Sequence, residues 1–163
     1  IIAIITLMAG NVFGQKFGYV NSEYILSQFD EFIEAQNKLE IEGKKLEQEY
    51  YRMAGQLDSL KQDYERQKFL MTDVNKKTKE NEMMVLSQKL QDFQVNKLGP
   101  QGEFYQKQQT LADPVLEKVN KAIKAVGEAN GYDFIFDSVA GNILYAKDGF
   151  DLTEKVLIEL NRK

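Results

Sequence analysis

Carboxylates are the side chains of this sequence that come nearest to a catalytic arrangement. The 163 residues include no histidine and no cysteine, which excludes thiol catalysis, triads with an imidazole base and most structural zinc sites. Asp133 and Asp137 share one face of a predicted strand, but alternating aromatic residues indicate that this face is the solvated side of a half-buried sheet. We therefore predict that the protein is not an enzyme and uses no cofactor or metal.

Other motifs that could bind ligands have simpler interpretations. Asp148-Gly149-Phe150-Asp151 lacks calcium-loop spacing and is typical of a turn, and the sequence contains neither a glycine-rich phosphate loop nor a nucleophile elbow. Tyr50 and Tyr64 lie at helical packing positions, which favours packing over stacking against bases. The net charge of −4 predicts that the whole chain repels nucleic acid and anionic membranes. Nucleic-acid binding is therefore the weakest of the functions considered.

The charge is unevenly distributed along the chain. Residues 61–80 hold six Lys and Arg against four acids. A candidate client-contacting cluster within this stretch consists of Lys68, Lys76, Lys77 and Lys79. Such a cluster attracts acidic partners, but a run of charges on a helix is also typical of a solvated face. Both interpretations stay open at this stage.

Apolar residues that recur every seven positions dominate the middle of the chain. One row consists of Phe32, Leu39, Leu46, Met53 and Leu60, and a second row of Tyr50, Leu57, Tyr64 and Met71. Two interlocked rows of this kind form the seam of a coiled coil. We predict an antiparallel hairpin over residues 31–130 with its tip near 72–81, because arms of equal length return the chain to its start.

The return arm is less regular than the outgoing arm. Gly99-Pro100 interrupts it, since proline lacks an amide donor and clashes with the preceding turn. Asp113-Pro114 has the pattern of a cap followed by a first helical residue, which predicts a restart or a kink. Gly131 is placed to end the helix with a positive φ.

Short strands are predicted on both sides of the hairpin. Phe17–Val20 is followed by Asn21 or Ser22 as a helix cap, and Tyr132–Asp137 is followed, after a turn, by Asn142–Ala146. Asp151 is predicted to cap a closing amphipathic helix, with Glu154 three residues later. The fold class is thus α+β but predominantly α, with a body formed by residues 15–30 and 131–163.

This body is small for a stable core and leaves strand edges open. Both problems disappear if several copies associate, so that their strands form a closed central body from which the hairpins project. The residues predicted to build that body are Tyr19, Val20, Tyr132, Phe134, Phe136 and Leu144.

Residues 1–10 are apolar and uncharged over a length typical of a signal-peptide core. We predict that residues 1–14 are the remnant of a signal peptide, which would export the chain. The alternative is a buried apolar strand of the mature protein.

The order of elements resembles the Skp/OmpH periplasmic chaperones of Gram-negative bacteria, in particular their Bacteroidetes-type branch. The resemblance covers residues 15–163 as a single domain. The sequence segments that carry it are Gly18-Tyr19-Val20-Asn21 with Tyr24-Ile25-Leu26, Pro114–Val119 with Ala122-Ile123, Gly131–Asp137, Asn142–Tyr145 and Asp151-Leu152-Thr153.

The resemblance implies a homotrimer with a small β-barrel body and three long coiled-coil arms around a cavity. It implies ATP-independent holding of unfolded outer-membrane proteins in the periplasm, with at most peripheral contact with membrane or lipopolysaccharide. This chain departs from the best-known member because it is acidic and because Gly99-Pro100 breaks its return arm. The alternative function is a non-catalytic coiled-coil spacer or adaptor of the cell envelope.

Overall fold

The computed structural model describes residues 14–162. The predicted signal-peptide remnant therefore lies outside the described residues, apart from Gly14. The described chain divides into two compact units. We call residues 14–29 with 118–162 the strand unit, and residues 30–117 the hairpin unit.

The strand unit contains a two-stranded parallel sheet formed by the two ends of the sequence. Strand β1 spans Phe17–Val20 and strand β2 spans Phe134–Asp137. Phe17 lies opposite Phe134, and Val20 lies opposite Asp137. The two strands predicted on either side of the hairpin are confirmed, and they pair with each other.

Short helices complete the strand unit. Helix α1, Ser22–Gln28, begins at the predicted cap, since the side-chain oxygen of Asn21 accepts a hydrogen bond of 2.8 Å from the amide of Tyr24. Helix α5, Thr153–Leu160, follows Leu152 and has no side-chain cap at that position. The predicted cap residue Asp151 instead accepts a hydrogen bond of 2.9 Å from the amide of Thr153.

The core of the strand unit extends further along the chain than predicted. It includes residues 118–130, whereas the sequence assigned residues up to 130 to the hairpin. The reason is an apolar stripe at helical spacing in this stretch. The buried apolar residues of the strand unit are Val20, Ile25, Phe29, Val119, Ala122, Val126, Leu152, Val156 and Leu157.

The predicted strand Asn142–Ala146 is wrong for the described chain, because no strand is formed there. The free edge of β1 is partly taken by Asp151, which forms an isolated bridge with Tyr19. A strand requires a hydrogen-bonded neighbour, and this segment has none within its own chain. The predicted turn before it is present, since Gly141 has a φ of 72°.

Long helices form the hairpin unit. Helix α2 spans Asp30–Gln67 and helix α3 spans Asp73–Phe93. Helix α4, Glu103–Asn130, contributes its first residues to this unit and its last residues to the strand unit. Within the described residues, no helix is both long enough and apolar enough to cross a membrane.

The predicted seam is at least half-buried along the hairpin unit. Met53 and Leu57 are buried, and every other residue of the two seven-residue rows is half-buried. Two contacts confirm that the return path runs antiparallel to α2. Tyr64 is hydrogen-bonded to Glu80 near the turn, and Lys107 pairs with Glu42 at 3.0 Å farther from it.

The chain reverses earlier than predicted. The turn occupies residues 68–72, so it shares only Thr72 with the predicted 72–81. Thr72 caps α3 through its hydroxyl, which accepts a hydrogen bond of 3.3 Å from the amide of Asn75. The polar residues after Thr72, which suggested a weak helix, therefore lie inside α3.

The return path is interrupted where the sequence predicted. A π-helical segment, Gln94–Leu98, follows α3, and α4 begins only at Glu103. Beside this break, a Cβ placed on Gly43 of α2 would lie 3.5 Å from the ring of Phe104. Neither a restart nor a cap occurs at Pro114, which lies inside the continuous α4. Pro114 has no amide hydrogen to donate to the carbonyl of Thr110, four residues earlier. Thr110 is exposed, so its carbonyl can bind water instead.

Candidate functional site

One face of the sheet in the strand unit carries three aromatic rings in a stack. The ring of Phe17 lies 5.5 Å from that of Phe134 and 6.1 Å from that of Phe136, and Phe134 lies 6.4 Å from Phe136. The two strands produce this arrangement because alternate residues of paired strands share a face. Phe134 and Phe136 each remain 49% exposed. A folded chain rarely leaves such a patch uncovered without a partner.

The sequence analysis predicted the wrong face of β2 to be buried. We predicted that its aromatic residues face the core and its aspartates face solvent. Instead Ile135 packs toward α4, where a Cβ added to Gly127 would come within 3.0 Å of the Ile135 side chain. The helix covers only that face, so the aromatic face is the one left without a cover inside the chain.

The six residues predicted to build an assembled body therefore fall into three groups by exposure. Phe134, Phe136 and Leu144 are exposed, and Leu144 is 97% exposed. Val20 is only 2% exposed and belongs to the core of its own chain. Tyr19 and Tyr132 are half-buried, and the Tyr132 ring carries the ammonium of Lys16 at 4.0 Å.

Asp137 joins the sheet to α1 through hydrogen bonds. Its carboxylate accepts from the hydroxyl of Ser22 at 2.5 Å, from the amide of Ser22 at 3.3 Å and from the amide of Val139 at 3.1 Å. Burial acts to raise the pKa of Asp137, but these hydrogen bonds outweigh it and hold the pKa below the ordinary value. Asp133 accepts from the amide of Lys16 at 2.7 Å. Both aspartates thus have structural roles that the sequence analysis missed.

Exposed apolar side chains are spread along the hairpin unit. They include Ile41, Tyr51, Met84, Val85 and Val95. The four methionines of the hairpin unit differ in exposure: Met53 is buried in the seam, Met71 and Met83 are half-buried, and Met84 is exposed. Across residues 14–162, no group of His, Cys, Asp and Glu is arranged to hold a metal ion.

The predicted basic cluster lies beside the turn of the hairpin. Lys68 is in the turn, while Lys76, Lys77 and Lys79 lie in the first two turns of α3. Lys76 pairs with Asp73 at 3.7 Å and Lys79 with Glu82 at 2.7 Å, and Lys68 pairs with Glu65. Exposed pairs of this kind contribute little free energy, so these lysines remain able to bind other anions.

The family model for outer membrane proteins of the OmpH-like type matches residues 16–160. The chain belongs to the OmpH-like family. The match includes β1, the whole hairpin unit, β2 and α5, which confirms the family resemblance inferred from the sequence. No curated protein matches the sequence at a significant level.

A solved structure has the same fold as this OmpH-like chain. It is the crystal structure of a protein from Caulobacter crescentus CB15 described as an outer membrane chaperone (OmpH-like). The two share 14% sequence identity with a TM-score of 0.75, over 91% of this chain and 85% of that one. At this identity the similarity concerns the fold, which is predominantly helical with a small two-stranded sheet.

Proposed function

We propose that this OmpH-like chain is an ATP-independent periplasmic holdase that binds unfolded outer-membrane proteins and prevents their aggregation. The family match over residues 16–160 is the observation that carries the proposal. The chaperone description of the Caulobacter protein with the same fold supports it. Export to the periplasm, through a signal peptide of which residues 1–14 are the remnant, is part of the proposal.

The surface of the hairpin unit is suited to transient binding of many different clients. Its exposed apolar side chains are dispersed along the helices, as with Met84, Val85 and Val95, rather than gathered into one deep pocket. Many weak contacts restrain an unfolded chain without selecting one sequence. The flexible thioether of Met84 suits contact with differently shaped clients.

We also propose that three copies assemble through their strand units into a closed β-body, with the hairpins of the three chains enclosing the client. The uncovered ring stack of Phe17, Phe134 and Phe136 supports this proposal, and so does the almost fully exposed Leu144. The segment Asn142–Ala146, which has no strand partner in its own chain, would gain one from a neighbouring copy. Assembly would thereby bury the apolar surface that the single chain leaves in water.

Dilution of a urea-denatured outer-membrane barrel protein into buffer, with and without this protein, tests the holdase activity by light scattering. We expect scattering to be suppressed without added ATP. The matched variants are Phe136→Asp, which should abolish trimers in sedimentation equilibrium, and Tyr51→Asp, an exposed aromatic position of the hairpin unit that should leave them intact. Intact trimers that do not suppress scattering would favour the spacer or adaptor function instead.

A further inference from the structure

The end of helix α4 carries a chemically labile pair of residues. Asn130 is the last residue of α4 and Gly131 follows it, and the sequence contains no second Asn-Gly pair. Asparagine is among the thermolabile residues of proteins, because the next backbone nitrogen can attack its side-chain carbonyl carbon. Glycine leaves that attack unhindered, since it has no Cβ. Asn130 is half-buried and Gly131 is exposed, so water can reach the pair.

Three neighbours hold Asn130 in the folded chain. Its side-chain nitrogen donates to the carbonyl of Val126 at 2.7 Å, and its side-chain oxygen accepts from the ammonium of Lys155 on α5 at 3.2 Å. Its backbone carbonyl accepts from the ammonium of Lys16 at 2.7 Å. The side chain of Asn130 is thus directed back along α4, and not towards the residue that follows it.

The attacking nitrogen is held by the cap of the same helix. The amide of Gly131 donates to the carbonyl of Glu128 at 3.3 Å, and the amide of Tyr132 donates to the carbonyl of Gly127 at 2.9 Å. Gly131 has a φ of 66°, and these two bonds together close a helix that ends in a left-handed glycine. Attack therefore requires the cap to open, because both the nitrogen and the side-chain amide are bonded elsewhere.

We propose that Asn130 is a deamidation site whose reaction requires the end of α4 to open. In the opened chain the Gly131 nitrogen bonds to the side-chain carbonyl carbon of Asn130. The side-chain NH2 leaves with the amide proton of Gly131 as ammonia, and a cyclic succinimide remains. Water then opens the ring at either carbonyl, which gives aspartate or isoaspartate. This inference rests neither on client binding nor on the trimer.

The isoaspartate product keeps the strand unit from regaining its sheet. In isoaspartate the main chain runs through the side-chain carboxyl, so one extra methylene lies between α4 and β2. That methylene displaces Asp133 relative to Lys16, whose amide donates to the Asp133 carboxylate at 2.7 Å. The aspartate product only replaces the donor to Val126 by a negative charge at a helix C-terminus, and the ammonium of Lys155 opposes that cost. A chain that has opened is therefore altered irreversibly.

Incubation of the full chain near neutral pH, followed by peptide mapping with mass spectrometry, measures the rate of deamidation at Asn130. The same chain in denaturing guanidinium chloride gives the rate without the folded contacts. We expect the folded chain to react slower than the denatured chain by roughly tenfold or more, because reaction waits for local opening. Equal rates in the two states, or no deamidation in the denatured chain, would overturn the proposal.

A lysine variant tests whether the contacts of Asn130 limit the reaction. Lys155→Met removes the ammonium beside the Asn130 oxygen and keeps an apolar stem, and Lys147→Met removes the same charge from another exposed position of the strand unit. We expect Lys155→Met to speed deamidation of the folded chain by roughly threefold, and Lys147→Met to leave the rate unchanged. Neither should change the rate in the denatured chain. An unchanged or slower reaction in folded Lys155→Met would contradict the protective role of these contacts.

Separation of the products tests the consequence for the sheet. The isoaspartate fraction is isolated by chromatography and compared with Asn130→Asp, which carries the same added charge on an ordinary backbone. We expect amide exchange at Tyr132 and Asp133 to be fast in the isoaspartate chain and close to that of the wild type in Asn130→Asp. Equal exchange in the two would show that the extra methylene leaves the sheet intact, and would overturn the irreversible loss of the sheet.

Discussion

The hydroxyl of Tyr64 on α2 donates a hydrogen bond to the carboxylate of Glu80 on α3, across the hairpin near its turn. This bond, followed by partial burial and the charges of Glu80 and Glu65, raises the pKa of Tyr64 above its ordinary value. This hydrogen bond joins α2 to α3, whose shared apolar seam contains few residues beyond Tyr64. It therefore secures the end of the hairpin where packing contributes least.

Removing this hydroxyl should loosen the end of the hairpin. In the Tyr64→Phe variant we expect faster amide exchange over residues 65–85 and unchanged exchange over 134–137. Because the pKa is raised in the folded state, the bond stabilises fully below the ordinary value of 10.0 and is lost as the pH rises through the raised pKa. The alkaline loss of protection should therefore be smaller in Tyr64→Phe. Tyr51→Phe is the control, and equal acceleration there would contradict the assignment.

The carboxylate of Asp137 predicts the acid behaviour of the strand unit. Its pKa is lowered in the folded state, so its stabilising contribution is present above the ordinary value of 3.8 and is lost as the pH falls through the lowered pKa. Asp137→Asn should lower the free energy of unfolding in urea at pH 7 and should approach the wild type in acid.

Ser22→Ala supplies the test of mechanism for this prediction. If the Ser22 hydroxyl is the main partner, the double variant should cost less than the sum of the two single variants. Full additivity at pH 7, or an Asp137→Asn effect that persists unchanged in strong acid, would show that the hydrogen bonds do not cause the lowered pKa.

Two glycines offer opposite outcomes for the same substitution. A Cβ on Gly18 of β1 would lie 2.8 Å from the side chain of Leu152 and 3.0 Å from the ring of Tyr132. Gly18→Ala should therefore destabilise by about 1–3 kcal/mol through overpacking. Gly55 in α2 has nothing within 4 Å of such a Cβ, so Gly55→Ala should stabilise by about 0.5–1 kcal/mol. Thermal unfolding measures both, and destabilisation by Gly55→Ala would contradict the open surroundings of that position.

Charge is expected to affect how fast a client is captured more than how firmly it is held. Raising salt from 50 to 500 mM shortens the Debye length from roughly 14 to roughly 4 Å, which screens exposed charges and leaves apolar burial intact. The triple variant Lys76→Gln, Lys77→Gln, Lys79→Gln should slow association with an unfolded barrel protein modestly and leave dissociation nearly unchanged. Stopped-flow fluorescence measures both rates. Complete release by the variant or by salt would mean that electrostatic attraction holds the client.

Local patterns predicted much of the fold because they depend on neighbours in the sequence. The seven-residue rows identified the buried residues Met53 and Leu57, and the capping positions of Asn21 and Gly131 were correct. The turn was misplaced because the polar residues after Thr72, which have weak helix propensity, form the first turns of α3. Intrinsic propensity alone does not indicate where a helix stops.

The candidate surfaces were harder to predict because exposure depends on what covers each face. The face of β2 that carries Ile135 also carries Asp137, so its side chains alone do not predict burial. Only the position of α4 decides that Ile135 is the covered residue. The exposure of Phe69 and Leu70 likewise follows from the turn at residues 68–72 and not from their types.

The break in the return path has a mechanical consequence for the hairpin unit. Helix α2 continues without interruption for 38 residues, while the return path changes to the π-helical segment Gln94–Leu98 and leaves helical structure at residues 99–102. At that level α2 is the uninterrupted helix of the described hairpin unit, and the ring of Phe104 would lie 3.5 Å from a Cβ on its Gly43. A helical hairpin resists bending where its two helices pack side by side, so the hairpin unit should bend most easily at this break in the return path. A small change of angle at the break would then move the turn of the hairpin over a large distance.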